Sequence, residues 1–320
     1  MPPNPGPEII WISNPDNYDP VHHRQLRREG SERLDLFESH GIQVTMVHSC
    51  DVVPGWNGAP RLWLDGQDLL AKGRGFLVSS WTWNPGIAQQ LQAITRTIRA
   101  SDAVLLTDGI TGPEGLSTDK LAMYHHAGSL GLPVLPAVTV PFGRYARRAL
   151  AAVRREFPSD TGYLVKPREM AMGFGVLKVD TLEQLSSTVD LLAPGDLGCL
   201  VQPYRQNDGD VRVYVRGGRQ VAALLRSPKP GNYLANVSQG GSGSLLQAPP
   251  EVTEYSEQLA VSLDADYLCV DWLLTPDGPV FNEWMTVSAA FEDLPEPDRS
   301  RVGEALVDHI CRRLGVVPDA

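Results

Sequence analysis

A lysine followed by a glycine-rich turn is the first feature of this sequence that could do chemistry. Lys166 lies at the end of the apolar run GYLVKP, and the turn from Met170 to Gly175, with Gly173 inside it, begins after two intervening residues. An ammonium supplies a point charge to a phosphate oxygen, and glycine lets the N–H groups of a turn approach the same oxygens. The segment therefore predicts a phosphate site, with an ordinary solvated strand edge as the alternative.

The segment DWLLTPDGPVFNEWM has the pattern of a β-hairpin with one carboxylate on each of its strands. The dipeptide Asp277-Gly278 is a turn signal, so Asp271 and Glu283 lie on the two paired strands. Neighbouring carboxylates repel each other unless a hard cation lies between them, which is how Mg²⁺ is commonly held beside a polyphosphate. The alternative is an exposed carboxylate at the edge of a hairpin.

Charged residues also alternate on an earlier strand. Asp210 and Arg212 are two residues apart and share one face of the strand, and Arg226 ends its hairpin partner. A carboxylate can accept hydrogen bonds from ribose hydroxyls, and a guanidinium can stabilise a phosphoryl group during transfer. A cross-strand salt bridge explains the same pattern about equally well.

Other catalytic motifs find no support in the sequence. The histidine pairs His22-His23 and His125-His126 lack the spacing of a zinc site, and the four cysteines include no C-x-x-C pair. Neither a G-x-S-x-G elbow nor a G-x-x-x-x-G-K-[ST] loop is present. A zinc enzyme, a serine hydrolase and a P-loop enzyme are therefore disfavoured.

Composition and charge favour a multidomain cytosolic enzyme. A chain of 320 residues with 42% hydrophobic content is long enough for two or three packed domains. The net charge of −10 disfavours nucleic acid and anionic membranes as partners, because both attract positive surfaces. The start MPPNPGPE lacks a signal-peptide pattern, and no run of roughly 18 apolar residues predicts a membrane-spanning helix. We therefore predict a soluble protein of the cytosol.

The first part of the chain alternates strands and helices. The predicted order is the strand EIIWISN, a helix over residues 20–40, the strand GIQVTMVHS, the strand GFLVSS, a helix over residues 86–99 and the short strand AVLLTDG. This alternation is typical of a parallel sheet covered by helices, so we predict an α/β domain that closes by Gly109.

The rest of the chain predicts α+β structure. A helix with Ser117 or Thr118 as its N-cap carries Lys120 in its first turn. Antiparallel strands dominate the final third, with Gly217-Gly218 and Asp277-Gly278 as hairpin turns. Further helices are predicted over residues 146–156, 182–192, 250–263 and 296–314.

Taken in order, these features resemble the ATP-grasp superfamily, in particular its branch of glutathione synthetase and RimK-type carboxylate–amine ligases. The ordered series is Lys120, Lys166 with its glycine turn, VQPY, D-x-R, Arg226, N-x-x-x-G-G, V-D and N-E, within residues 119–291. The resemblance implies two α+β subdomains that sandwich ATP, preceded by an N-terminal Rossmann-like α/β domain. The implied units are the N-terminal domain 1–117, the small lid subdomain 118–200 and the C-terminal subdomain 201–320 with the metal and substrate site.

The resemblance also implies roles for the matching residues, with ATP and Mg²⁺ (or Mn²⁺) as cofactors. Lys120 and Lys166 resemble the phosphate lysines, and Met170, Gly173 and Gly175 the flexible loop over the nucleotide. Gln202, Pro203 and Tyr204 resemble the hinge that reads adenine, and Asp210 the ribose ligand. The remaining matches are Arg226 and Asn236 at the reacting groups, Arg212, Gly240 and Gly241 at the substrate, and Asp271 and Glu283 at the metal.

Three positions depart from the family pattern. The usual metal motif is E-x-N, but Met285 stands two residues after Glu283, and a thioether is a poor ligand for a hard ion. A second Mg²⁺ would then have fewer protein ligands, or would use Asn282 after a shift in register. Met170 replaces a common glycine and limits backbone approach, and Pro203 replaces a frequent acidic residue and removes one N–H.

The implied reaction joins a carboxylate to an amine through an acyl phosphate and releases ADP and phosphate. Amino acids are the first choice of substrate, giving a dipeptide or a γ-glutamyl amide. A peptide-modifying ligase, such as a macrocyclase or a terminal tailing enzyme, is the second choice. A degenerate nucleotide-binding regulator is the alternative of another class, motivated by Met170 and Met285. Because relatives are often oligomeric, a homo-oligomer is a further expectation.

Overall fold

The computed structural model describes most of the chain. It covers residues 7–13, 20–71, 73–79, 82, 84–107, 109–111, 116, 118–158, 160–195, 197–236 and 240–316, with 20–29 and 85 by their backbone alone. Four β-sheets and seven α-helices occur in these residues. The fold class is α/β in the first part and α+β in the rest, which confirms the prediction.

The first sheet is parallel and has a helix on each face. Its strands are β1 (Glu8–Ser13), β2 (Gln43–His48), β6 (Gly75–Val78) and β7 (Val104–Leu105), in the order β2-β1-β6-β7. The helices are α1 (Pro20–Ser39) and α2 (Pro85–Arg99). Ile9 joins one buried cluster with Phe37 of α1, and the neighbouring Ile10 joins another with Ile94 of α2. Helices on both faces explain why all of β6 is buried.

An antiparallel sheet of three short strands, which the sequence did not predict, lies between β2 and β6 in the chain. The strands are β3 (Val53–Trp56), β4 (Pro60–Leu64) and β5 (Gln67–Asp68). The turn between β4 and β5 is Asp65-Gly66, with φ of 49° and 78°. Positive φ at two successive residues is the geometry of tight hairpin turns, for which Asp-Gly is a preferred pair.

The second sheet is antiparallel and has two helices on one face. Its strands are β8 (Val138–Val140), β9 (Tyr163–Pro167), β10 (Leu177–Val179) and β11 (Cys199–Pro203), in the order β10-β9-β11-β8. The helices are α4 (Arg148–Glu156) and α5 (Leu182–Leu192). Val153 of α4 and Leu185 of α5 pack with Val165 and Val201 in one buried cluster. A reciprocal capping box between Thr181 and Gln184 begins α5 at the predicted residue.

The third sheet is the largest and is wholly antiparallel. Its strands are β12 (Asp210–Arg216), β13 (Arg219–Ser227), β14 (Ser242–Leu245), β15 (Tyr267–Thr275) and β16 (Gly278–Met285), in the order β14-β13-β12-β15-β16. The helices α6 (Pro250–Ser262) and α7 (Asp298–Leu314) cover its two faces. Along β12, the valines 211, 213 and 215 pack toward α6, so Asp210, Arg212 and Tyr214 lie on the other face.

The helix that carries Lys120, α3 (Lys120–Ser129), has its N-cap one residue later than the predicted Thr118. Asp119 is the N-cap, and its side chain accepts a hydrogen bond from the Leu121 N–H at 2.9 Å. The prediction of Thr118 as the cap is wrong, because the carboxylate of the next residue reaches the free N–H group. Ser117, the other predicted cap, lies outside the described residues.

Helix α3 packs on the third sheet, although it falls in the segment predicted to be the lid. Met123 and Tyr124 share a buried cluster with Phe281 and Trp284 of β16. The Phe281 N–H also donates to the Pro133 carbonyl, at 2.8 Å, just beyond the helix. Helix α3, and Lys120 with it, is therefore anchored on the third sheet, while Lys166 lies on a strand of the second.

The predicted boundary between residues 200 and 201 falls inside β11, whose five residues all pair with β9. We propose a boundary between Pro203 and Asp210, which keeps both sheets whole; the division near residue 117 stays a prediction.

Across the described ranges, no helix combines the length and apolarity that crossing a bilayer requires.

Candidate functional site

Lys120 connects three parts of the chain at the start of α3. Its Nζ donates to the carbonyl oxygen of Met170 and lies 3.1 Å from Glu283 Oε2. The side chain of the preceding residue, Asp119, is also held in place, because its Oδ1 accepts a hydrogen bond from Arg168 Nε at 3.0 Å. The predicted phosphate lysine thus faces both the loop after β9 and the hairpin strand β16.

Lys166 reaches the same place from the second sheet. The residue is buried, and its Nζ donates to Asn282 Oδ1 at 3.0 Å. The ammonium also lies 5.3 Å from the centroid of the Tyr124 ring. Burial, and then repulsion by Lys120, lower the pKa of Lys166 to about 7, although Glu283 opposes the shift. A desolvated ammonium with so little negative charge beside it would be stabilised by a polyphosphate.

A β-bulge brings Asn282 and Glu283 to the same face of β16. Asp271 pairs with Glu283 and Trp272 with Phe281, so Asn282 has no partner on β15. Phe281 and Trp284, three residues apart, both enter the apolar cluster under α3. Strict alternation would put one of them outside and turn either Asn282 or Glu283 into the apolar cluster. The extra residue turns both polar side chains toward the lysines, as bulges commonly do near active sites.

A second ionic group lies along the same sheet, beyond Glu283. Arg212 donates to both oxygens of Asp271 at 2.9 Å, and Arg226 donates to Asp271 at 2.7 Å and to Asp210 at 2.6 Å. All four side chains are buried. Strand pairing sets the arrangement, because Arg226 faces Asp210 across β13 and β12, and Arg212 faces Asp271 across β12 and β15. The predicted cross-strand salt bridge is present, and the catalytic roles remain predictions.

The two carboxylates of this group differ in their proton affinity. Burial alone would raise the pKa of Asp271, but Arg212 and then Arg226 outweigh it and hold the value at about 2. Burial raises the pKa of Asp210, which Arg226 only partly opposes. Asp271 is therefore the ionised partner on which both guanidinium groups depend.

One of the two predicted metal ligands fits a divalent cation as it stands. The Glu283 carboxylate faces Lys120 and is partly accessible, and Mg²⁺ is usually bound by one or two carboxylates together with substrate phosphates. No three His, Cys, Asp or Glu side chains of the described residues converge on a metal position, so phosphate oxygens would supply further ligands. Asp271 would have to leave its arginines first, and its role at the metal stays a prediction.

The predicted adenine hinge ends β11 with most of its donors in use. The Tyr204 N–H donates to the Gly162 carbonyl at 2.9 Å, and the Thr161 hydroxyl donates to the Tyr204 carbonyl at 2.7 Å. Pro203 has no N–H, and Gln202 is buried. Neither the Pro203 nor the Tyr204 backbone can therefore donate to adenine, so the hinge would offer carbonyl oxygens or an N–H further along.

The predicted flexible loop has the backbone of a tight turn. Met172, Gly173 and Gly175 have φ of 61°, 75° and 69°, in the region that favours glycine. A Cβ on Gly175 would lie 2.8 Å from Pro167 Cγ, so only glycine fits there. Met170 is buried and turns its carbonyl to Lys120, so it contributes an acceptor rather than a donor for phosphate.

Asn236, Gly240 and Gly241 close a loop beside Arg226. The Gly241 N–H donates to the Asn236 carbonyl at 3.0 Å, and a Cβ on Gly241 would collide with the Ala235 carbonyl oxygen. Gly243, two residues after Gly241, pairs with Arg226 across β14 and β13. Residues 237–239 lie outside the described part, so the approach of Asn236 to the reacting groups remains a prediction.

Three groups near the site were missed in the sequence. Tyr124 is buried, and burial, then the Glu283 carboxylate, raise the pKa of its hydroxyl well above the ordinary value. Its position one helical turn after Lys120 is the signal that could have identified it. The Arg168–Asp119 pair gives no signal, because the two residues are distant in the chain.

The third missed group fastens the loop after β16. Arg33 of α1 pairs with Glu292 at 2.9 Å and donates to the carbonyls of Val287 and Ala289 at 3.0 and 2.9 Å. The Tyr214 hydroxyl donates to the Ala290 carbonyl at 2.5 Å. The first domain and β12 therefore hold this loop beside the ionic group.

Known structures assign the fold to a class. D-alanyl-alanine synthetase A from Vibrio cholerae aligns with a TM-score of 0.68 and 15% identity, over 98% of this chain and 99% of that one. The ATP-grasp ligase PsnB, complexed with a minimal precursor, aligns with a TM-score of 0.62 and 14% identity, over 96% and 99%. The fold is therefore that of the ATP-grasp ligases, with an α/β domain before it.

The sequence comparison points to one branch of that class. Residues 152–292, less than half of the chain, match the RimK-like ATP-grasp domain, which confirms the resemblance found in the ordered motifs. A probable alpha-L-glutamate ligase 2 of Shewanella baltica is 27% identical over 149 residues, 46% of this chain and 49% of the relative. The chain thus matches about half the length of this curated relative.

Proposed function

We propose that this protein is an ATP-dependent carboxylate–amine ligase. The observation that carries the proposal is the convergence of two buried lysines, one from helix α3 and one from the second sheet, on the bulged pair Asn282 and Glu283. Two cations share a single carboxylate there, so the site has a deficit of negative charge that a nucleotide triphosphate would fill. The RimK-like domain, which includes Lys166 and Glu283, supports the same assignment.

The proposed reaction has two steps. A substrate carboxylate oxygen attacks the γ-phosphorus of ATP, the bond between that phosphorus and the β,γ-bridging oxygen breaks, and ADP leaves. The amine nitrogen of the second substrate then attacks the acyl carbon, the bond to the phosphate oxygen breaks, and phosphate leaves while the amine loses a proton. The product is an amide, and water must be excluded so that it does not consume the acyl phosphate.

The chain's own residues contribute position and charge. Lys120 and Lys166 would hold the phosphates, with the turn from Met170 to Gly175 closing beside them. Arg226 and Arg212 would stabilise the negative charge of the transferring group, as preorganised cations do in a site with little water. Mg²⁺ bound with the nucleotide would neutralise phosphate charge. Asp210 as the ribose ligand and Asn236 at the acyl group complete the proposed set.

Amino acids are the substrates we propose first. The curated relative carries the name of a glutamate ligase, so glutamate is the first carboxylate or amine to test. A dipeptide or a γ-glutamyl amide would be the product. A peptide acceptor is the second proposal, since the ATP-grasp ligase PsnB, which has a related fold, has been solved in complex with a precursor peptide.

The proposal is tested by the release of ADP from the whole chain with Mg²⁺ and ATP. All pairs of the common amino acids are screened, glutamate first, with mass detection of the product. Release that requires both an acid and an amine, with one new amide mass, is expected. Binding of ATP without release under any pair would instead favour peptide acceptors or a nucleotide-binding regulator. Peptide pools carrying free carboxylates and amines separate those two.

The proposal also covers the cellular compartment and the oligomeric state of the protein. We infer a reducing compartment, the cytosol, because Cys50, Cys199, Cys269 and Cys311 are all free thiols and three of them are buried. A homo-oligomer is proposed by analogy with the ATP-grasp branch. Light scattering of the purified chain measures its mass directly.

A further inference from the structure

The position that usually completes the metal motif of this fold carries no oxygen in this chain. Met285 follows Glu283 by two residues, and its sulfur lies 3.9 Å from Arg212 Nη2, beside the arginine group. A thioether is a soft, neutral ligand that Mg²⁺ does not select. If the chain uses a divalent cation, a second protein oxygen must come from another residue.

Asp271 is a costly source of that oxygen. Both of its carboxylate oxygens accept hydrogen bonds from Arg212, and one also accepts from Arg226. The side chain is fully buried. Withdrawing the carboxylate would leave two buried guanidinium groups without their shared counter-charge, and breaking a buried ion pair is strongly destabilising. Asp271 is better placed to hold the arginines than to hold a metal.

The bulge in β16 supplies an oxygen at lower cost. Asn282 is the unpaired residue of the bulge, and its amide oxygen faces the site beside the Glu283 carboxylate. Its present donor is Lys166, which would turn to the nucleotide phosphates when these are bound. An amide oxygen next to a carboxylate oxygen is a ligand set suited to a hard cation.

A second feature indicates that a ligand is missing from this place. The Tyr124 hydroxyl is buried, with the Gln202 amide and the Glu283 carboxylate near it, but no described residue completes a hydrogen bond to it. A buried hydroxyl without a partner is uncommon in a finished site, and a bound nucleotide or its hydration water would supply one.

We propose that Asn282 and Glu283 are the protein ligands of the nucleotide-bound divalent cation, and that Asp271 remains with Arg212 and Arg226. This assignment rests on the proposed nucleotide site. It replaces the E-x-N pattern by adjacent Asn and Glu residues, which only a bulge can direct to one face of a strand.

The test measures metal binding directly, by the electron paramagnetic resonance signal of free Mn²⁺ titrated with the whole chain and ADP. Asn282→Ala is compared with Met285→Leu, a near-isosteric control at the position of the usual motif. We expect Asn282→Ala to weaken retention of Mn²⁺ with ADP at least about tenfold. Asn282→Asp should retain or tighten it, and Met285→Leu should change it less than about twofold.

Two further measurements separate the possible failures. The affinity of ADP in EDTA reports the nucleotide site alone, and a wild-type chain that binds ADP neither with nor without Mn²⁺ overturns this inference together with the proposed function. Normal Mn²⁺ retention in Asn282→Ala overturns the inference and leaves the function standing. A folded Asp271→Asn chain that loses Mn²⁺ more strongly than Asn282→Ala also overturns it; if Asp271→Asn does not fold, the Asn282 variants decide.

Discussion

Two neighbouring ionic groups involve side chains of the third sheet, and they differ in how their charges are balanced. In the lysine group, Lys120 and Lys166 share the single carboxylate of Glu283 and the neutral amide of Asn282. In the arginine group, Arg212 and Arg226 face two carboxylates, Asp210 and Asp271. The arginine group is complete within the protein, whereas the lysine group lacks an anion. We therefore infer that the arginine group stabilises the fold of the free protein and that the lysine group binds phosphate.

Disrupting the arginine group should have the largest effect, and that effect should be on the free energy of unfolding. Arg226→Met removes a cation from two buried carboxylates, so we expect the free energy of unfolding to fall by about 3–5 kcal/mol. Urea denaturation of the purified chain measures it. Arg219→Met, at an exposed arginine paired with Glu257, is the matched control and should change stability by less than about 1 kcal/mol. A loss no larger than that of the control would show that the arginine group is not a structural unit.

Breaking the lysine group should instead cost ligand affinity. Lys166→Met keeps the apolar stem but removes an ammonium whose pKa burial has already lowered to about 7, so stability should be unchanged or higher. ATP affinity should fall about 100-fold, measured by calorimetry. Lys166→Arg, which keeps the charge, should recover part of it. Comparable ATP binding by Lys166→Met would remove the phosphate assignment.

Glu283→Gln sharpens the comparison, because it removes the only carboxylate of the lysine group. Metal-free ADP should bind roughly threefold more tightly, since a negative charge near the phosphates is gone. Retention of Mn²⁺ with ADP should weaken about tenfold in the same variant. Calorimetry in EDTA measures the change in ADP affinity, and Mn²⁺ titration measures the change in metal retention. The two changes must have opposite signs if Glu283 binds the metal beside the phosphates.

A third polar group, remote from the site, should give the smallest effect. His309 is buried on α7, with Nδ1 at 2.8 Å from Asp266 Oδ2. Burial, and then Arg313, lower the pKa of His309 to about 3. His309 therefore binds a proton near pH 6.5 in the unfolded chain but stays neutral there in the folded chain. The free energy of unfolding falls as the pH drops below that value.

The size of this pH effect can be isolated with one variant. Between pH 7.5 and 5.5, the His309 contribution should lower the free energy of unfolding by about 1 kcal/mol. Urea denaturation of the wild-type chain and of His309→Gln at both pH values measures the difference. The variant should lose less stability on acidification. An equal loss in both chains would show that His309 accepts its proton without strain.

Much of the fold followed from local signals. The apolar runs of β1, β6 and β11, the hairpin turns and the capped helix α5 are each encoded within about a dozen residues. The candidate site followed from the order of charged residues along those strands. Lys120 and Lys166, predicted together, do reach the same place, Lys120 from helix α3 at Glu283 and Lys166 from the second sheet at Asn282.

The features that escaped prediction depend on contacts between distant segments or on one irregular residue. Alternation with a period of two places Asn282 and Glu283 on opposite faces, and only the bulge reverses this. The sequence F-N-E-W, with two aromatic residues around two polar ones, was the available signal. The double pairing of Asp271 could not be foreseen, because it requires three strands to be in register.

The central claim is that the lysine group holds the phosphates of a nucleotide while the arginine group is already satisfied. Calorimetric titration of the wild-type chain and of the double variant Lys120→Met, Lys166→Met with ATP, ADP and AMP in the presence of Mg²⁺ tests it most directly. We predict a wild-type affinity that falls at least about tenfold from ATP to AMP, and a double variant in which the three nucleotides bind equally weakly. An unchanged preference for ATP in the double variant would contradict the account.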